Sequence, residues 1–147
     1  LERHPLARAV RIDKMNLAGL TATVLHYLKQ EAEAEVPIWR MISASEEGIK
    51  DRAARWKTQL SLPGEVISGR SAVGGGSLPG ETLPTWVLAL SCEGDAGGPE
   101  RVMRRLREAN PPVVARIEDD RVILDPRTVM PGEEESLLTA LRDALSR

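Results

Sequence analysis

The chain has 147 residues, of which 41% are apolar and 29% charged, with a net charge of −2. This length suits one domain with a modest core, and the composition is that of a globular protein. No apolar run approaches the ~18 residues of a membrane-spanning helix, and the charge argues against bulk electrostatic binding to nucleic acid.

Only four of the 20 basic residues are Lys, and Arg favours two-pronged grips on oxyanions. Cys92 is the lone cysteine, so an internal disulfide and a multi-cysteine metal cage are excluded. The chain opens on Leu1 inside a dense charged and apolar run without a basic-apolar-small signal pattern. This start suggests a fragment of a longer protein, with the cytoplasm as default location.

In chain order, Leu17, Leu20, Val24 and Leu28 recur at three and four residues between Asp13 and Glu33. That spacing predicts a helix capped by Asp13 or Asn16. After "EVPIW" (35–39), Ser43 or Ser45 opens a second helix on which Ile49, Ala53, Trp56 and Leu60 share a face, with Ser43 and Glu46 spaced as a capping box. Strands are predicted over 65–73 and 85–93, joined by a Gly- and Pro-rich loop too long for a tight hairpin. Pro99 suits the start of a short amphipathic helix over 100–109 that Asn110-Pro111-Pro112 stops. Strands over 112–117 and 121–125 flank a turn at 118–120, and a last helix covers 133–145 with acidic residues in its first turn. The order predicts an α+β fold, an antiparallel sheet covered by helices on one face with the other free to pack on a partner. A Rossmann-type alternation does not fit.

"RHPLARAVRIDKMNLAGLTATVLHYL" (3–28), "SAVGGGSLPGETLP" (71–84) and "PPVVARIEDDRVILDPRTV" (111–129), three separated motifs, resemble the C-terminal part of bacterial L-seryl-tRNA(Sec) selenium transferases. The likeness runs over essentially the whole chain and about the last third of the family's length. It implies a small C-terminal domain of a fold-type I pyridoxal 5'-phosphate enzyme, with 1–33 an interdomain segment and long helix. The family converts seryl-tRNA(Sec) to selenocysteinyl-tRNA(Sec): the seryl group forms an imine with the cofactor, loses water to give an aminoacrylyl intermediate, and takes selenium from selenophosphate. The resemblance implies tRNA(Sec), selenophosphate and other copies of the same chain as partners, and no membrane.

Arg8 and Arg11 match the family's arginines for the anionic selenium donor. If the turn after Pro5 is helical, their spacing of three puts both guanidinium groups on one face, close enough to share one oxyanion. The family's cofactor lysine lies upstream of this segment, so Lys14, Lys29, Lys50 and Lys57 are not candidates for it, and no catalytic residue is expected here. The fragment alone is expected to be inactive, and Lys14 to pair with a carboxylate or reach an anion. Gly74, Gly75, Gly76 and Ser77 offer successive backbone N–H groups but lack a P-loop's Lys and helix, so they read as a close-packed or mobile connection, or as an active-site loop. Arg116 lies where many relatives in the superfamily bind a substrate carboxylate. An aminoacyl ester has none, so Arg116 is expected to contact the tRNA end or a phosphate.

His4 and His26 lack partners at metal or triad spacing, Cys92 reads as buried and inert, and Trp39, Trp56 and Trp86 read as core anchors. The run "RVMRRLRE" (101–108) reads as a solvated helix face that could also meet tRNA phosphates. Two other readings remain: a stand-alone RNA- or protein-binding module, and the small domain of a pyridoxal-phosphate enzyme acting on a free amino acid.

Overall fold

The computed structural model describes residues 11–61, 63–74, 80–92 and 97–146. Where length suggests one unit with 1–33 as its leading segment, contacts divide the chain between residues 43 and 44, into Leu1–Ser43 and Ala44–Arg147.

The first unit is helical. Helix α1 (Lys14–Leu28) is capped by Asp13, whose carboxylate accepts from the backbone N–H groups of Met15 and Asn16 at 2.8 and 2.9 Å. It ends at Leu28, short of the expected Glu33, because Gln30 takes a left-handed φ of 59° and stops the turn. Short helices α2 (Ala32–Glu35) and α3 (Pro37–Ser43) follow. The segment "EVPIW" was expected only to break the pattern. Pro37 instead starts α3, a position where its missing N–H costs nothing. No residue of α1, α2 or α3 is buried.

The second unit holds the core. Ser45, not Ser43, caps α4 (Glu46–Leu60) by accepting from the Gly48 N–H at 3.2 Å, and Ile49, Ala53, Trp56 and Leu60 are its buried residues. Strands β1 (Gly64–Ala72) and β2 (Thr82–Ser91) pair antiparallel along their length, and β4 (Arg121–Leu124) pairs with β2 and with β3 (Arg116–Glu118), giving the order β1-β2-β4-β3. Pro84 is tolerated inside β2 because the β2–β4 ladder covers only Leu88 to Ser91.

The expected strand over 112–117 shrinks to 116–118. Pro111 and Pro112 carry no N–H for a ladder, and the Val113 N–H turns back to the Leu106 carbonyl at 2.8 Å. Glu118 pairs with Arg121, leaving Asp119 and Asp120 as a two-residue turn with left-handed φ of 48° and 57°.

Register sorts the sheet's two faces. Val66, Leu88 and Leu124 align on one side, where Leu88, Leu90, Val122 and Leu124 pack with Trp56 and Leu60 of α4, Val102, Met103 and Leu106 of α5 (Gly98–Glu108), and Leu137, Leu138 and Leu141 of α6 (Glu134–Leu145). This is the α+β arrangement expected, with helices on one face. On the other side Val87, Ala89 and Ile123 form a second buried cluster with Ile67 beside it.

Candidate functional site

The basic residues at the head of α1 come first. Arg11 is exposed and non-helical, two residues before the cap Asp13, and Lys14 is the first residue of the helix and also exposed. The helical turn that would put Arg8 and Arg11 on one face does not include Arg11, and Arg8 lies outside the described residues. Neither Arg11 nor Lys14 forms an ion pair among the described residues. The carboxylate neighbouring both is already engaged: Asp13 holds the helix N-terminus, and its hydrogen bond from the Asn16 N–H, with further bonds from the Asn16 side chain and Met15, lowers its pKa below the ordinary 3.8. A cation at a first helical position is opposed by the helix dipole. The placement of Lys14 therefore has no local stabilising reason, unlike that of Lys29, whose Nζ lies 3.4 Å from Glu31 Oε1.

Arg116 is differently placed. On β3 its Nε donates to Glu118 Oε1 at 2.6 Å, two residues along the same face of the strand. Nearby, Arg121 lies 3.6 Å from Glu65 and 3.8 Å from Asp119. An anion reaching Arg116 has to displace a carboxylate already there.

The glycine-rich connection is described only at its ends, and Gly75, Gly76 and Ser77 lie outside the described residues. Gly74 has a φ of +141° and Gly80 a φ of +85°, and no atom lies within 4 Å of where a Cβ would stand on either. Conformation, not crowding, requires glycine at these two positions, which corrects the close-packing reading there. Between them and the sheet, the Val73 N–H donates to the Glu81 carbonyl at 3.2 Å.

A polar hub that the sequence reading missed stands at the base of this connection. Asp125, at the end of β4, is buried, and its carboxylate accepts from the hydroxyl of Ser71, from Thr85 Oγ1 at 3.0 Å and from the Arg127 N–H at 2.9 Å. Arg127, also buried, donates to the carbonyls of Pro84 at 2.7 Å and Ala44 at 3.3 Å. One side chain of β4 thus ties β1 to β2 where the two strands leave the sheet. The available signal was the Asp-Pro pair after an apolar strand, which marks a side chain able to cap the next turn.

Arg52 is a second missed cation. Its guanidinium donates to Glu134 Oε1 at 2.6 Å and to the carbonyls of Pro126 and Val129 at 2.7 and 2.8 Å, with its Cζ 5.7 Å from the Trp56 ring centre. Each donor is spent on structure. A cleft of about 610 Å3 between α5 and α6 is walled by Arg105, Glu108, Asn110, Glu135, Thr139 and Asp143, and its three carboxylates suit no anionic ligand.

Of the tryptophans, Trp56 is the core anchor expected. Trp39 is largely exposed and donates to the Tyr27 hydroxyl, while Trp86 is half-buried beneath Lys50, whose Nζ is 4.1 Å from the ring centre. Cys92 is buried. His26 Nδ1 is 2.9 Å from Glu31 Oε1, which together with Lys29 lowers the Glu31 pKa. His4 lies outside the described residues. Among those residues no group of His, Cys, Asp and Glu is arranged to hold a metal ion, and no helix is long and apolar enough to cross a membrane.

Comparison with known proteins connects these positions. The family model for L-seryl-tRNA selenium transferase matches residues 1–130. Proteins named L-seryl-tRNA(Sec) selenium transferase are similar throughout: that of Moorella thermoacetica is 41% identical over 97% of this chain and 31% of its own length. Those of Geobacter sulfurreducens and Aquifex aeolicus are 39% and 36% identical, each over 99% of this chain and 33% and 32% of their own length. The chain spans about a third of the length of these relatives and matches their C-terminal part.

Proposed function

The chain belongs to the L-seryl-tRNA selenium transferase family, and on that premise we propose that it is the C-terminal part of an enzyme converting seryl-tRNA(Sec) to selenocysteinyl-tRNA(Sec) with selenophosphate. Its own contribution is to hold the anionic selenium donor through Arg8 and Arg11, with Lys14 close in sequence. The observation that carries the proposal is that the family match includes these residues while Arg11 and Lys14 have no carboxylate partner among the described residues. Most other cations here are engaged: Arg52 with Glu134, Arg116 with Glu118, Arg121 with Glu65, Arg127 with two carbonyls. Uncommitted guanidinium groups are the ones able to grip an incoming tetrahedral oxyanion.

The family belongs to the pyridoxal-phosphate transferases. When bound, that cofactor supplies the electron sink for replacing the seryl oxygen with selenium. The lysines here do not suit its attachment. All four are exposed, Lys29 pairs with Glu31, and Lys50 lies over Trp86. In this reading the cofactor is held by polypeptide outside this chain, and the chain alone has no transferase activity. Binding of tRNA(Sec), assembly into a homo-oligomer and a cytoplasmic location belong to the same proposal. The Glu118 partner of Arg116 weighs against a free amino acid as substrate, because its α-carboxylate would have to compete with that ion pair.

The test is kinetic, in the full-length enzyme. Arg8→Ala and Arg11→Ala are each expected to lower kcat/KM for selenophosphate about a hundredfold, as for loss of one preorganised donor to an oxyanion. Arg11→Lys, which keeps charge but loses the fork, should recover only part of it. Seryl-tRNA(Sec) binding should be unchanged. Wild-type selenophosphate kinetics in both Ala variants would overturn the assignment, and weakened RNA binding alone would favour a binding module.

A further inference from the structure

Helix α1 has the composition of a core helix without a core. Leu17, Leu20, Val24 and Leu28 occupy one side, and Met15, Ala18, Ala22 and Leu25 carry apolar surface most of the way round. A helix apolar on most sides belongs inside a protein. Here none of its residues is buried, and Met15 and Leu28 are 84% and 74% exposed.

Two independent features fit enclosure. The hydroxyls of Thr21 and Thr23 donate back to the carbonyls of Leu17 and Gly19 at 2.8 and 3.0 Å, so both can leave water without an unpaired donor. Gly19 lies mid-helix, where glycine is the least favourable residue after proline, and nothing lies within 4 Å of the position its Cβ would take. Neither backbone conformation nor crowding within this chain calls for glycine there. Close approach of another backbone does.

The length of the relatives identifies the occupant. About two thirds of each lies outside the matched segment, and the match is to their C-terminal part. Polypeptide joined to residue 1 is delivered to α1 at high effective concentration, an advantage that a second copy lacks. We propose that α1 is an enclosed helix of the parent enzyme, covered by the polypeptide preceding this segment, with Leu17, Leu20, Val24 and Leu28 as the main contact and Gly19 as the point of closest approach. The inference rests on family membership and the helix itself, not on the selenium chemistry.

Hydrogen exchange of residues 14–28 tests it without reference to activity. In the full-length enzyme these amides are expected to exchange at least a hundredfold more slowly than in the 147-residue chain alone, whose exchange should not depend on concentration. Equal exchange in both overturns the proposal, as does protection of the chain alone that grows with concentration, which assigns the cover to a second copy. Gly19→Leu supplies a sign reversal: helix content should rise in the chain alone, while the full-length enzyme loses thermal stability or protection of α1. Gly19→Ala repeats the comparison if the larger residue prevents folding. Unchanged stability and protection in both full-length variants overturns the close approach. A photo-crosslinker in place of Leu20 in the full-length enzyme should capture the preceding polypeptide of its own chain, and capture of another copy's α1 instead overturns the choice of occupant.

Discussion

Helices α1 and α4 are each 15 residues long, each is capped by a side chain of the preceding residue, and each carries apolar residues at helical spacing. Their fates are opposite. The α4 stripe of Ile49, Ala53, Trp56 and Leu60 is wholly buried, whereas Leu17, Leu20, Val24 and Leu28 of α1 all face outward. Periodicity thus marks a surface that requires a partner without saying whether this chain supplies it.

Substitutions in the two helices sharpen the contrast. Trp56→Ala should cost about 4 kcal/mol in chemical denaturation of the chain, since it empties the centre of the main core. Leu20→Ala should cost under about 0.5 kcal/mol in the same measurement, because it deletes a side chain that packs on no core here. A comparable loss from both would mean that α1 is part of the core.

Asp125→Ala comes next, at about 3 kcal/mol. It leaves the hydroxyls of Ser71 and Thr85 and the Arg127 N–H without their acceptor inside a dry site. The double variant Ser71→Ala/Asp125→Ala should lose less than the sum of the two single changes, because all act through one carboxylate.

Caps give a smaller effect. Ser45→Ala should lower the unfolding free energy by about 1 kcal/mol, because α4 unfolds with the core. Asp13→Ala should reduce helical circular dichroism and leave the cooperative transition where it was.

The smallest effect is that of acid. Asp13 and Glu31 both have lowered pKa values, Asp13 chiefly through the Asn16 N–H and Glu31 through His26. Each favours the folded form fully above its ordinary value of 3.8 or 4.5, and that contribution fades as pH falls through the lowered value. Helical signal from 14–35 should therefore decline on acidification below about pH 4, and 0.5 M salt should weaken the Glu31 part by screening.

Much of the second unit was legible because its local signals agree with its packing. Ser45 was one of two caps considered, all four α4 core positions were read correctly, and Asp119-Asp120 fell inside the expected turn. The strand over 112–117 failed because β-propensity was allowed to outweigh two consecutive prolines, and α3 was missed because Pro37 was taken for a breaker where it is a starter. At the site, residue types could be named from the sequence, but their occupancy could not. That Arg116 is held by Glu118, that Arg52 and Arg127 are spent on carbonyls, and that Asp125 joins three strands are facts of spatial neighbourhood.

By itself the sequence determined the kinds of element, the faces that are apolar, the α+β class and the family resemblance. All of these follow from side-chain chemistry repeated at fixed local periods. Only the tertiary structure decided which apolar face found a partner and which charges were neutralised, because burial and ion pairing depend on residues brought together from distant parts of the chain. Ser71, Thr85 and Asp125 meet across as many as 54 positions, and no local period carries that information.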